Sequence, residues 1–217
     1  MRHNPPVSIV EERRLVTVLF VDLVGFTSRT EASDPEEMRE AQRAYFAAVA
    51  AEVARYGGSV EKYIGDAVMA LYGAPQAHDD DASRALHAAL AIREAVTGQG
   101  LEVRIGVNTG EVVGGAGPGP QAGEYTVTGD AVNVAARLEA AGGTARINVS
   151  DAVYNRVRSL MEFEPRGAVE VKNKAPISMH FLNRIKSEFS RDAEGLRPND
   201  AFHHACERLF PGYRAAA

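Results

Sequence analysis

Cysteine is almost absent: Cys206 stands alone among 217 residues. One thiol excludes a disulfide framework within the chain, and nothing near it has the spacing of a zinc site, so a reducing cytoplasm is the expected setting. An excess of positive charge is missing too, with 24 Lys+Arg against 29 Asp+Glu and a formal net charge of -5. That balance excludes the broad basic field that draws in nucleic acid or anionic membrane. Neither is expected as a partner, and any phosphate must be held locally. No apolar run is long enough to cross a bilayer, and "MRHNPPVSIVEERR" places prolines and charges where a signal peptide needs an apolar stretch. The chain also has no internal repeat.

What is present is an ordinary folding composition, 45% apolar and 24% charged, in a length that suits one domain with a sizeable core. Residues 1–14 read as a flexible N-terminal arm, 15–185 as the domain, and 186–217 as a C-terminal tail or linker. The run "LVTVLFVD" is rich in Val, Leu and Phe, as a fully buried strand would be. A helix follows, with Ser33 or Asp34 as N-cap, Pro35 at its first position and Gly57-Gly58 as its stop. Its Met38, Ala41, Tyr45, Val49, Val53 and Tyr56 recur at helical spacing and predict a face packed on a sheet. "SVEKYIGDAVMALYG" reads as two strands flanking a Gly65-Asp66 turn, because Gly tolerates positive φ. A second helix is expected from the acids Asp79 to Asp81 as far as Gly98. Strand "LEVRIGVNTG", a possible strand "EVVGG" and an irregular loop "AGPGPQAG" come next. "EYTVTG" then leads into a helix capped by Asp130 and stopped by Gly142-Gly143. "ARINVS", a short helix from Asp151, "AVEVKN" and "ISMHFLNRI" complete the domain. The order predicts an α+β, ferredoxin-like (βαββαβ) sandwich with added C-terminal strands and a helix, its helices on one face of a mainly antiparallel sheet.

Three groups of residues could carry chemistry. Asp22 ends a strand and Asp66 sits in a turn; if the two elements are neighbours, both carboxylates reach one sheet edge. Two close carboxylates are costly unless a cation lies between them, and hard divalent cations prefer such oxygens. The backbone after Asp22, at Leu23, Val24, Gly25, Phe26 and Thr27, has small, flexible positions that could approach a phosphate. Asn133 and Arg137 lie four apart on one helix and so share a face, where a guanidinium could stabilise charge on a phosphoryl group; a solvated polar face is the alternative. Lys62 and Lys172 do not stand out by spacing. "HDDD" at 78–81 reads as helix capping and "HHAC" at 203–206 as a solvated tail helix, in preference to metal sites.

The stretches "VLFVDLVGFT", "EKYIGDAVMALYG", "RIGVNTGEVVGG", "YTVTGDAVNVAARLEAAG" and "VKNK", in that order, resemble the catalytic domain of class III adenylyl/guanylyl cyclases over about residues 13–185. The resemblance implies conversion of ATP to 3′,5′-cyclic AMP and pyrophosphate with two divalent cations, Mg2+ or Mn2+, with Ca2+ conceivable at one position. By it Asp22 and Asp66, with Leu23 beside them, are metal-binding. Asn133 orients the ribose, Arg137 stabilises the transition state, Lys172 meets the terminal phosphates, and Lys62 reads adenine. Thr126 takes the second base-reading position, where many adenylyl cyclases of the family have Asp; it resembles a subgroup often responsive to bicarbonate, and it weakens discrimination against GTP. Glu111 departs from members that carry a phosphate-binding Arg in the "NTGEVVGG" stretch. Members work as head-to-tail homodimers in which the aspartates of one chain face Lys62, Thr126, Asn133, Arg137 and Lys172 of the other. The competing readings are a nucleotide-binding module without turnover, a cyclase with relaxed ATP/GTP choice, and a ferredoxin-like binding domain.

Overall fold

A strand that is apolar at every position can stay in water only if both its faces are covered. Covering of that kind shapes this molecule, whose computed structural model describes residues 11–25, 34–116, 125–171 and 174–215. Strand β1 (Glu12–Leu23) runs through the middle of the sheet, with Val16 to Val21 fully buried. It begins at Glu12, so residues 12–14, expected in a flexible arm, are paired with β4 instead.

Helix α1 (Pro35–Arg55) starts as its sequence predicts, with the Asp34 side chain accepting from the Glu36 N–H at 2.8 Å. Tyr45, Val49 and Val53 form its buried stripe. Strands β2 (Ser59–Ile64) and β3 (Ala67–Tyr72) form the hairpin. Helix α2 (Asp81–Thr97) leads into β4 (Val103–Ala116), one long strand where two were expected. At the start of α2 Asp80 holds the N-cap position and Asp81 the first turn, as expected, but the Asp80 side chain makes no capping bond: it accepts from Arg84 Nε at 2.9 Å, and Asp81 accepts from the His78 N–H at 2.9 Å. Strand β5 (Tyr125–Thr128), helix α3 (Asp130–Ala140), β6 (Ile147–Ser150), α4 (Asp151–Val157), β7 (Met161–Val171) and β8 (Lys174–Ile185) follow. The N-cap of α3 is Gly129, and Asp130 is its first residue.

The sheet order is β2-β3-β1-β4-β6-β8-β7, with β5 on β4; β4–β6 is its parallel pairing, and the rest are antiparallel. The first four strands, with α1 and α2, are the expected βαββαβ unit. The helices do not all lie on one face, as sequence order suggested. Helices α1, α2, α4 and α5 (Asp200–Leu209) share a core with Leu19, Val21 and Val107, whereas α3 packs with Val16, Val18, Phe20 and Val112 on the opposite face. The segment after residue 185, read as a tail or linker, is folded: a 3-10 turn (Ser187–Phe189) precedes α5, which buries Phe202, Ala205 and Cys206 in the larger core. No helix among the described residues is long and apolar enough to cross a membrane.

Candidate active site

Strand β1 delivers Asp22 to the end of its paired region. The carboxylate is on the face that carries α3, since Val16, Val18 and Phe20 alternate with it and pack there. Directly opposite on β4 is Arg104, and its guanidinium bonds the Asp22 carboxylate in a charge-assisted pair. Arg104 Nε also lies 3.1 Å from Glu139 Oε1 of α3; this is ion-pair distance without the alignment of a hydrogen bond. Behind the strand, Tyr45 of α1 donates its hydroxyl to the Val21 carbonyl at 3.2 Å, which fixes the backbone one residue before Asp22. Burial raises the Tyr45 pKa, and the charges of Asp22 and Asp66 raise it further.

The neighbouring hairpin brings Asp66 to the same edge. Val21 pairs with Val68, so Asp22 and Asp66 flank adjacent strand ends. Gly65, at φ 65°, makes the turn that an L side chain would strain. Burial pushes the Glu139 carboxyl up to about 7, with the charges of Asp22 and then Asp66 adding to it and Arg104 opposing. Asp22, Asp66 and Glu139 thus gather at one end of the sheet, with Arg104 as their counter-charge.

Helix α3 is held against β4 by backbone contact. A Cβ on Gly106 would fall 2.3 Å from the Ala135 carbonyl oxygen and 2.3 Å from the Glu139 nitrogen, so only glycine admits this approach. Two residues along, Asn108 Nδ2 donates to the Ala131 carbonyl at 3.0 Å. At 100° per residue, the sheet-facing side of α3 carries Ala131, Ala135, Leu138 and Glu139. Asn133 and Arg137 therefore point away from Asp22 within the same chain. Asn133 is exposed, and Arg137 Nη1 is buried with no hydrogen-bond partner among the described residues. Thr126 is half-buried on β5 opposite Gly115, Lys62 is exposed on β2, and Glu111 is exposed on β4. Leu23 is buried, Val24 half-buried and donating to the Glu102 carbonyl at 2.8 Å, and Gly25 exposed. Phe26, Thr27 and Lys172 lie outside the described residues.

The structure thus unites Asp22 with Asp66 and separates both from the Asn133–Arg137 face. Sequence reasoning missed Arg104 and Glu139. Their signal was available in strand alternation: Arg104 is the lone charge in "VRIGV" and has the parity of Gly106, while Glu139 follows Ala131 and Ala135 on the sheet-facing row of α3. Among the described residues no group of three or more His, Cys, Asp or Glu assembles as a ready-made metal cage. Two carboxylates at one edge still fit a magnesium-type cation, which takes one or two protein carboxylates and completes its shell with phosphate oxygens and water.

The Adenylate and Guanylate cyclase catalytic domain family matches residues 9–184. "Adenylate cyclase 1" of Rhizobium meliloti (strain 1021) is 33% identical over 176 residues, which are 75% of this chain and 26% of that relative. The chain thus spans about a quarter of that protein's length. Among solved structures, the adenylyl cyclase CyaB from P. aeruginosa superposes with a TM-score of 0.78 at 27% identity, over 83% of this chain and 100% of that one. The guanylyl cyclase Cya2 superposes with a TM-score of 0.76 at 31% identity, over 82% and 96%.

Proposed function

Since the chain belongs to the adenylate and guanylate cyclase catalytic domain family, we propose that it converts ATP to 3′,5′-cyclic AMP and pyrophosphate in cytoplasmic signalling. The ribose 3′ hydroxyl gives its proton to water, and its oxygen attacks the α-phosphorus in line as the bond to the departing pyrophosphate breaks. Asp22 and Asp66 would hold two divalent cations, Mg2+ or Mn2+, with the Leu23 backbone beside them. Such cations acidify the attacking hydroxyl and neutralise the triphosphate. The observation that carries this reading is the meeting of Asp22 and Asp66 at one sheet edge, where the fold otherwise supplies Arg104 to balance them.

Base choice follows from hydrogen-bond polarity. Lys62 donates to N1 of adenine and would meet the N1–H of guanine badly, and the Thr126 hydroxyl accepts from the adenine amino group. Arg137 supplies the guanidinium for charge growing at the α-phosphate, and Asn133 orients the ribose. Lys172 and the backbone of residues 23–27 bind the remaining phosphates. The place of Asn133 and Arg137 on the side of α3 turned away from Asp22 supports a head-to-tail homodimer, because a single chain cannot turn both faces of α3 to one nucleotide.

Incubation of the protein with ATP or GTP and either cation, followed by detection of cyclic product and pyrophosphate, tests the activity. Product from neither nucleotide sinks it, and equal product from both favours the relaxed choice that Thr126 and the likeness to a guanylyl cyclase suggest. The dimer makes its own demand. Asp22→Ala and Arg137→Ala chains, each inactive, should regain about a quarter to a half of normal activity when mixed, since every heterodimer rebuilds one intact site. A dead mixture counts against the shared site. Response to bicarbonate, suggested by Thr126, is tested by a dose series at constant pH; a flat response removes it.

A further inference from the structure

A buried carboxylate on the hairpin has no part in these roles. Strand β2 slips register against β3 at Glu61: Val60 is opposite Ala70 and Lys62 is opposite Met69, so Glu61 is the extra residue of a β-bulge. Consecutive strand residues normally face opposite sides, but a bulge re-aims the side chains beside it. Here the two side chains meet, with Glu61 Oε2 3.0 Å from Lys62 Nζ. The Glu61 side chain is 1% exposed and that of Lys62 46%. Neither Glu61 oxygen has an aligned hydrogen-bond partner among the described residues, and both are shielded from solvent. A buried carboxylate so poorly satisfied is a stability cost, and among the described residues the Lys62 ammonium is the cation placed to offset it.

We propose that Glu61 is the positioning residue of the base pocket: it tethers the Lys62 ammonium and so sets the choice of adenine over guanine. The inference rests on the reading of Lys62 as the donor to the base. An ammonium has three N–H donors on a flexible stem. One turned to Glu61 leaves the others aimed from a fixed point toward an acceptor at adenine N1. A free lysine could instead swing to the O6 acceptor of guanine; the tether denies it that route. Because its own oxygens are shielded, Glu61 does not offer guanine an acceptor in exchange.

The test is a double-mutant cycle of Glu61→Gln and Lys62→Met, with kcat and KM measured for ATP and for GTP and the thermal midpoint of each protein recorded. Glu61→Gln keeps the shape and removes the charge. It should raise KM for ATP about tenfold, change kcat less, and lower the ATP/GTP ratio of kcat/KM about tenfold. In a Lys62→Met background the same change should alter that ratio by less than about twofold, because Glu61 acts only through Lys62. Lys62→Met should lower the midpoint by stranding the carboxylate, and adding Glu61→Gln should restore it. Equal losses for the two nucleotides in Glu61→Gln, or effects that multiply independently, would overturn the proposal. If Lys62→Met leaves the ATP/GTP ratio unchanged, Lys62 does not read the base, and the proposal falls with that reading; this outcome is recognised from the single variant.

Discussion

His87 shows how far a residue's chemistry is set by where its helix places it. Its Nδ1–H donates to the Ser83 carbonyl at 2.9 Å, while Nε2 is buried with no partner among the described residues. The ring stacks on Tyr56 at 5.7 Å and meets the edge of Phe202 at 4.9 Å. Burial lowers its pKa from 6.5 to about 4; the Ser83 bond opposes the shift, while the His203 and Arg84 charges add to it. The native state therefore keeps His87 neutral where the unfolded chain takes up a proton. Stability from this group is full above the unfolded value and falls as pH drops from there toward 4. At about pH 5 the loss is on the order of 2 kcal/mol. Urea unfolding at about pH 7 and pH 5 should show it, and His87→Phe should flatten the difference; an unchanged slope would refute the assignment. At this scale the sequence was uneven to read. Asp22 announced itself as a carboxylate ending an apolar run, and Asp66 as a turn residue after Gly65. Arg104 and Glu61 did not, because a single charge within a strand looks the same whether it faces water, an ion-pair partner or a pocket.

Elements were legible where local chemistry decides them. Asp34, Pro35 and the stripe of Tyr45, Val49 and Val53 define α1 without reference to the rest of the fold. The side of the sheet on which a helix lies is a different matter. Val16 to Val21 are apolar but for Thr17 and buried throughout, so they demand cover on both faces but do not say which helix provides it. The seat of α3 was recorded instead in Gly106, which reads in sequence as a mere weak point of a strand. Gly106→Ala would drive a methyl group into the α3 backbone and displace Asn133, Arg137 and Glu139 together. The expected cost is about 1–3 kcal/mol of stability and a fall in kcat of about a hundredfold, since misplacement of catalytic groups by about an ångström suffices. Gly167→Ala on β7 is the control: its Cβ would meet nothing within 4 Å at φ 85°, so it should cost about 1 kcal/mol through backbone strain alone. Thermal melts and cyclase assays of the two variants separate these effects, and equal behaviour would discard the seating argument.

For the whole molecule, the misread part was the C-terminal segment. Its charges and two adjacent histidines look solvated in sequence, yet Phe202, Ala205 and Cys206 close the core over α1 and α2. The contacts that hold α5 are long-range, so no local pattern reports them. Phe202→Ala should lose about 3–5 kcal/mol by leaving a cavity, read as a lowered denaturant midpoint, while the folded fraction keeps its kcat because the residue lies across the sheet from α3. A loss below about 1 kcal/mol would mean the helix is only loosely laid on. The seam between α3 and β4 has a wider consequence. At Gly106 strand backbone already lies against helix backbone, so no smaller residue exists there that would let the helical rod sink deeper. A larger residue at that point can only lift the helix, and with it the outer row of α3 that a second copy of the chain would have to meet.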